Sequence, residues 1–192
     1  MNGKEKLVFG DNYIFLPELD GYVMHVAEKK LMRELASLAT RNGGHILEIG
    51  FGLNITADFV QENPNVLSHT IIEVHPEIYE RAVKWAENKK NVTLLLGSWE
   101  EVIPKLDKKF DGVLHDTHED PNIPFFLTDV KKNCNENCIV AFFEYLIRDY
   151  RLTEIVYEFE NEDISNLPYS LPKKYPLKYT IFRNGEFSPD SY

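Results

Sequence analysis

"GHILEIGFGLNITADFV", Gly44 to Val60, is the stretch on which the reading of this chain turns. The apolar run "HILEI" ends on Gly50-Phe51-Gly52, and the residues that follow carry apolar side chains at helical spacing. Glycines at such a junction reach backbone conformations closed to other residues and let a ligand approach the main chain. By themselves they are a weak signal. A dinucleotide fingerprint needs a third glycine, whereas Leu53 and Asn54 follow Gly52 here, and a plain strand-to-helix turn explains two glycines equally well.

Working outward, the pattern repeats. Residues 22–41, "YVMHVAEKKLMRELASLATR", have the spacing of an amphipathic helix stopped by Asn42, Gly43 and Gly44. After "HILEIG" comes a helix over "LNITADFVQEN", with Asn54 or Thr56 as its cap, then the β-branched strand "SHTIIEV". The helix "PEIYERAVKWAENKK" opens on proline, where the missing N–H costs nothing. Strands "NVTLLLG" and "FDGVLHD" flank the short helix "SWEEVIPKL"; the helix "PFFLTDVKKN" and the strand "CIVAFFEYL" complete the alternation. Strands alternating with helices predict an α/β fold: a doubly wound, Rossmann-like, mainly parallel sheet with helices on both faces. In the tail, Asn184-Gly185 predicts an antiparallel hairpin.

The 192 residues contain no repeat or low-complexity linker and read as one domain. Its parts are a helical segment over 1–43 that covers the site, a cofactor-binding core over 44–145, and strands, a lid or a subunit contact over 146–192, the last compatible with a homodimer. The formal net charge of −10 argues against tracking a phosphate backbone and favours a small or cationic partner. Cys134 and Cys138 lack zinc-site company and read as reduced thiols at a strand edge. The polar start "MNGKEKLVFGDNY" and the lack of a long apolar run predict a cytoplasmic protein with no membrane contact.

In a doubly wound sheet, ligands sit beyond the carboxyl ends of the strands. The residues there are Gly50-Phe51-Gly52 after the first strand, Glu73 after the second, Ser98-Trp99-Glu100 after the third and Asp116, in "VLHDTH", after the fourth. Glu73 falls near the spacing at which an acid accepts hydrogen bonds from ribose hydroxyls, and Ser98, Trp99 and Glu100 suit the face and edge of a purine. Each has a bland rival: a turn, a solvated acid, a core tryptophan. Their joint placement favours a nucleoside cofactor, and the missing third glycine favours S-adenosyl-L-methionine, which has no phosphate, over a dinucleotide.

These residues also resemble a known family. "VMHVAEKKLM", "GGHILEIGFGLNIT", "IIEVHPEIYERAVKWA" and "GSWEEVIPKLDKKFDGVLHDTH" are similar to the guanidinoacetate N-methyltransferases and the related fungal arginine δ-N-methyltransferases, within the class I S-adenosylmethionine-dependent methyltransferases. The likeness runs over roughly residues 20–145. It implies that Gly50, Phe51 and Glu73 contact the cofactor, with Glu73 on the ribose, that Trp99 and Glu100 border the adenine, and that Met24 lines the pocket. It also implies that Glu28 and Asp116 bind an acceptor guanidinium, beside His115 and Thr117. The chain departs from the family pattern at Ala27, where a tryptophan is usual, and at His115, where a tyrosine is usual.

A guanidinium has no free lone pair and loses its proton only above about pH 12, so its nitrogen attacks a methyl group only as a base removes a proton. Two carboxylates can hold the planar fork and accept that proton. Asp116 is expected to orient and deprotonate, with Glu28 as second clamp. Three other readings stay open: a methyltransferase for another amine, carboxylate or peptide acceptor; a non-catalytic binding protein of the same fold; and a metal-dependent enzyme using "HDTHED", His115 to Asp120, joined by His75.

Overall fold

The computed structural model describes residues 3–117, 123–142, 151–158 and 174–190. Within them the five expected parallel strands all form: β4 (Gly44–Ile49), β5 (Val66–Glu73), β6 (Val92–Leu96), β7 (Phe110–His115) and β8 (Cys134–Phe142). The helices between them are α2 (Ile55–Glu62), α3 (Pro76–Ala86), α4 (Trp99–Val102) and α5 (Ile123–Val130). The boundary expected at Tyr145 and the end of the fifth strand lie outside the described residues.

In the tail, β9 (Thr153–Glu158), β10 (Lys174–Arg183) and β11 (Glu186–Ser188) extend the same sheet. The order is β11-β10-β8-β7-β4-β5-β6, with β9 also paired to β10. Strands β4 to β8 are parallel, and β10 runs antiparallel to β8, β9 and β11. The β10–β11 turn is the predicted Asn184-Gly185 pair, both at positive φ (52° and 82°), as a two-residue hairpin requires.

Side chains alternate along β4, so its two faces feed two cores. Ile46 packs with Leu31 and Leu35 of α1 (Lys29–Ala39) and Phe59 of α2, while Leu47 and Ile49 pack with Val113, Phe126 and Phe142. Gly112 lies where α1 crosses the sheet: a Cβ there would stand 1.8 Å from the Ala39 carbonyl oxygen.

The N-terminal reading needs correction. Residues 22–41 are not one helix: β3 (Gly21–His25) pairs with β2 (Tyr13–Leu16), which pairs with β1 (Val8–Phe9), and a 3₁₀ turn over Val26–Glu28 precedes α1. Apolar residues at Val23 and Val26 fit helical spacing, but strand pairing to "YIFL", a partner close in sequence, overrides it. This small sheet buries Ile14 and Leu16 with Phe51 and Ile78 and so stands over the glycine loop. The expected α2 cap also differs. Asn54 is the cap residue but adopts φ 58°, and its amide donates to Asp58 Oδ2 (2.6 Å) instead of closing on the backbone.

Candidate functional site

Register brings the site together. Ile49 is paired with Ile72 on one side and His115 on the other, so Gly50, Glu73 and Asp116 emerge level at the carboxyl edge. Here the strand order departs in both directions from β4, which opens the crevice where doubly wound sheets hold ligands. The ladder continues one step: Gly50 N–H donates to Ile72 O (2.9 Å) and Asp116 N–H to Ile49 O (3.0 Å).

Both loop glycines are structurally required. Gly50 has φ 88°, and a Cβ would stand 2.1 Å from the Asp116 carbonyl oxygen; Gly52 has φ 53°, and a Cβ would stand 2.6 Å from Met24 Sδ. Met24 closes over the loop, its sulfur accepting from Leu53 N–H at 3.1 Å. Glu73 ties the loop to β5: Oε2 accepts from Phe51 N–H (2.9 Å) and Oε1 from His75 N–H (2.7 Å). Burial pushes its carboxyl up, against those amide hydrogen bonds. Each oxygen keeps a second lone pair for a ligand hydroxyl.

Asp116 is half-buried, and the pKa of its carboxyl is pushed up to about 8, first by removal from water and then by the charges of Glu28 and Glu48, with Glu73 contributing less. Acids from four separate elements therefore meet around this crevice. Such a cluster is costly empty and favourable around a cation. Glu28 reaches it from the 3₁₀ turn, where its Oε1 accepts from His25 N–H (2.8 Å) in a capping box.

The remaining expected residues divide. Trp99 is buried on the opposite face of the sheet, where its ring and His115 both stack on Phe126, at 5.2 and 4.4 Å between centroids. His115 thus points away from Thr56 and Asp116 into a ring cluster that also includes Phe142. Ser98 caps α4, its Oγ accepting from Glu101 N–H (3.4 Å), and Glu100 is exposed beside it. Thr117 Oγ1 is buried without a hydrogen-bond partner among the described residues. His118, Glu119 and Asp120, on which a metal reading depends, lie outside the described residues. Nε2 of His75 donates to Glu5 O (2.8 Å), which commits that nitrogen. Cys134 and Cys138 are free thiols, buried on β8.

Sequence reasoning passed over two groups behind the loop. Thr56 Oγ1, expected only as a cap, lies 3.5 Å from Asp116 Oδ2. Glu48, read as part of an apolar strand, is fully buried with its Oε2 2.7 Å from His69 Nε2. Glu48 and His69 each lie inside a run read as a buried strand, "HILEIG" and "SHTIIEV", and only strand register shows that they meet.

Comparison with known proteins agrees with this fold. The Thermotoga maritima spermidine synthase superposes with a TM-score of 0.64 at 12% identity, over 92% of this chain and 72% of that one. The Streptomyces achromogenes O-methyltransferase TomG, solved with SAM, gives 0.59 at 18% identity, over 88% and 84%. These likenesses establish the fold. In sequence, Protein arginine N-methyltransferase 2 of Saccharomyces cerevisiae is 34% identical over 126 residues, 59% of this chain and 30% of that protein. Its Candida glabrata counterpart is 37% identical over 78 residues, 38% and 18%. The chain spans less than a third of the length of the curated relatives it matches. Residues 9–125, from the small N-terminal sheet through the acid cluster to the start of α5, match the guanidinoacetate N-methyltransferase family, and the chain belongs to that family.

Proposed function

We propose that the protein is an S-adenosylmethionine-dependent N-methyltransferase acting on a guanidino group, in a small molecule or an arginine-like acceptor. The observation that carries this is the meeting of Asp116 and Glu28, from elements far apart in the chain, at a glycine loop that Glu73 holds in place. A cation is the natural guest of that cluster, and both the methyl donor's sulfonium and the acceptor's guanidinium are cations.

The donor set suits this cofactor. Glu73 has lone pairs for ribose hydroxyls, Gly50 and Gly52 leave the main chain bare, and Met24 supplies an apolar wall. In this reading Ser98, Trp99 and Glu100, at the end of β6, border the adenine. When bound, S-adenosylmethionine supplies an electrophilic methyl group. Asp116 and Glu28 hold the guanidinium fork so that one nitrogen faces that methyl, and Asp116 takes the nitrogen's proton as attack proceeds. A carboxyl with its pKa near 8 is a competent base at neutral pH, unlike an ordinary aspartate. Thr117 Oγ1, which has no hydrogen-bond partner among the described residues, is a candidate contact for the acceptor.

The test is methyl transfer from labelled S-adenosylmethionine to guanidinoacetate, free arginine and an arginine peptide. Asp116→Asn should retain cofactor binding by calorimetry and lose roughly 10²–10⁴-fold in kcat, the span of a general base. Label appearing on a simple amine or carboxylate and on none of the guanidino compounds would overturn the acceptor class. Undiminished transfer by the variant would remove Asp116 from the chemistry.

A further inference from the structure

One side chain of α3 holds both ends of the turn that follows Gly50. Phe51, Gly52, Leu53 and Asn54 form this turn, closed by Asn54 N–H donating to Phe51 O (3.0 Å). The Trp85 ring packs edge-to-face on the Phe51 ring, at 5.3 Å between centroids. Its Nε1 donates to Asp58 Oδ1 (2.7 Å), and Asp58 Oδ2 accepts from the side-chain amide of Asn54 (2.6 Å). The Asp58 carboxylate thus gives one oxygen to α3 and the other to the last residue of the turn.

The turn needs this support. Gly50, Gly52 and Asn54 all have positive φ (88°, 53° and 58°), and of the three Asn54 carries a side chain, for which the left-handed region is disfavoured. A helix cap ordinarily has extended backbone and accepts from the first turn of its own helix; Asn54 does neither. Its amide goes to Asp58, four residues on, and Trp85 orients that carboxylate from the neighbouring helix. Bonds of 2.6 and 2.7 Å to a carboxylate are of the stronger kind. Glu73 and Met24 hold the same turn through the N–H groups of Phe51 and Leu53. The turn that brings bare main chain to the cofactor is therefore fastened by β3, β5 and, through Trp85 and Asp58, by α3.

We propose that Trp85 and Asp58, acting through Phe51 and Asn54, are positioning residues for S-adenosylmethionine: an outer clamp that fixes the Phe51–Asn54 turn before the cofactor arrives. The inference rests on the cofactor reading above. Asp58 is exposed on α2 and Trp85 half-buried on α3, so the clamp works from the outer side of the loop. A loop already ordered before binding does not have to be ordered by the ligand, and loosening the clamp weakens the cofactor's affinity.

Exchanging two side chains breaks the clamp and then rebuilds it. Asn54→Asp removes the donor and sets two carboxylates against each other. Asp58→Asn turns an amide NH₂ toward either the Asn54 amide or the Trp85 N–H. In the double variant, Asn54→Asp with Asp58→Asn, the amide at 58 donates to the carboxylate at 54 and its carbonyl oxygen accepts from Trp85, so both bonds return. Aspartate also tolerates the left-handed backbone at 54. Calorimetry on the whole chain with S-adenosylhomocysteine, the demethylated cofactor, should show each single variant binding about tenfold more weakly than wild type. The double variant should bind within about twofold of wild type. Trp85→Phe, which keeps a ring on Phe51 and removes the N–H, should weaken binding as the single variants do.

Two results overturn the clamp: single variants that bind S-adenosylhomocysteine as tightly as wild type, or a double variant that binds no better than the weaker single variant. Urea unfolding of the same proteins separates positioning from bulk stability, since a purely structural role shifts the unfolding midpoint and leaves the affinity of the folded protein unchanged. If the wild type binds no S-adenosylhomocysteine, the cofactor reading itself fails and the clamp falls with it; wild-type binding together with unaffected variants removes the clamp alone.

Discussion

Asp116→Asn should make the protein more stable in alkaline buffer, and the size of the gain follows from the site. The Asp116 carboxyl titrates near 8 in the folded protein, while in the unfolded chain it takes the ordinary value of about 3.9. The folded state therefore holds a proton that the unfolded state has already released, so stability falls as pH rises and the loss is complete above the folded value. Between about pH 6 and pH 9 this single group removes roughly 2.7 kcal/mol, at a slope of about 1.4 kcal/mol per pH unit below 8. Residual solvent contact at this half-buried residue makes that an upper figure. Asparagine is close in shape and has no charge to desolvate, so the difference between variant and wild type isolates the term. Urea unfolding followed by fluorescence of Trp85 and Trp99 measures it at a series of pH values. Wild type should lose ground steadily relative to the variant from pH 6 to 8, and the gap should level off above 9. Parallel stability lines across this range would refute the claim that the acid cluster holds Asp116 protonated.

Other outcomes follow from single contacts. With a guanidino acceptor, kcat/KM should rise about tenfold per pH unit and level near 8, since that ratio reports the free enzyme's base; a flat profile below 8 would exclude Asp116 as that base. Gly50→Ala forces a side chain into φ 88° and 2.1 Å from the Asp116 carbonyl oxygen, so a loss of about 3 kcal/mol or more in urea unfolding is expected, with cofactor binding abolished. Glu73→Gln leaves the N–H of Phe51 or His75 facing an amide NH₂, a loss of about 1–3 kcal/mol, together with weaker cofactor binding by calorimetry. Gly112→Ala drives a Cβ to 1.8 Å from the Ala39 carbonyl oxygen, and thermal unfolding should show a loss of about 3 kcal/mol or more although the residue touches no ligand.

The core of the fold was legible because its signals are local. "HILEIG", "SHTIIEV" and "FDGVLHD" are apolar runs bounded by breakers, Pro76 marks the start of α3, and Asn184-Gly185 marks the hairpin. The small N-terminal sheet was not. Residues 22–25 have helical spacing, and their strand conformation depends on Tyr13–Leu16 pairing alongside them. Propensity is a weak prior that pairing overrides.

The candidate site divides along the same line. Order along the chain was enough to place Gly50, Glu73 and Asp116 at successive strand ends, because alternating strands and helices put every such end on one edge. Only tertiary structure decided which side chains share a face of the sheet. A period of two sends His115 into the ring cluster with Phe126 and Asp116 toward Thr56, although the two are neighbours in sequence. The meeting of Glu48 with His69, and of Thr56 with Asp116, likewise depends on register between β4 and β5 and on how α2 lies across them. By itself the sequence determined which chemical groups reach the crevice; burial and proximity, which set their charge, exist only once the sheet has assembled around them.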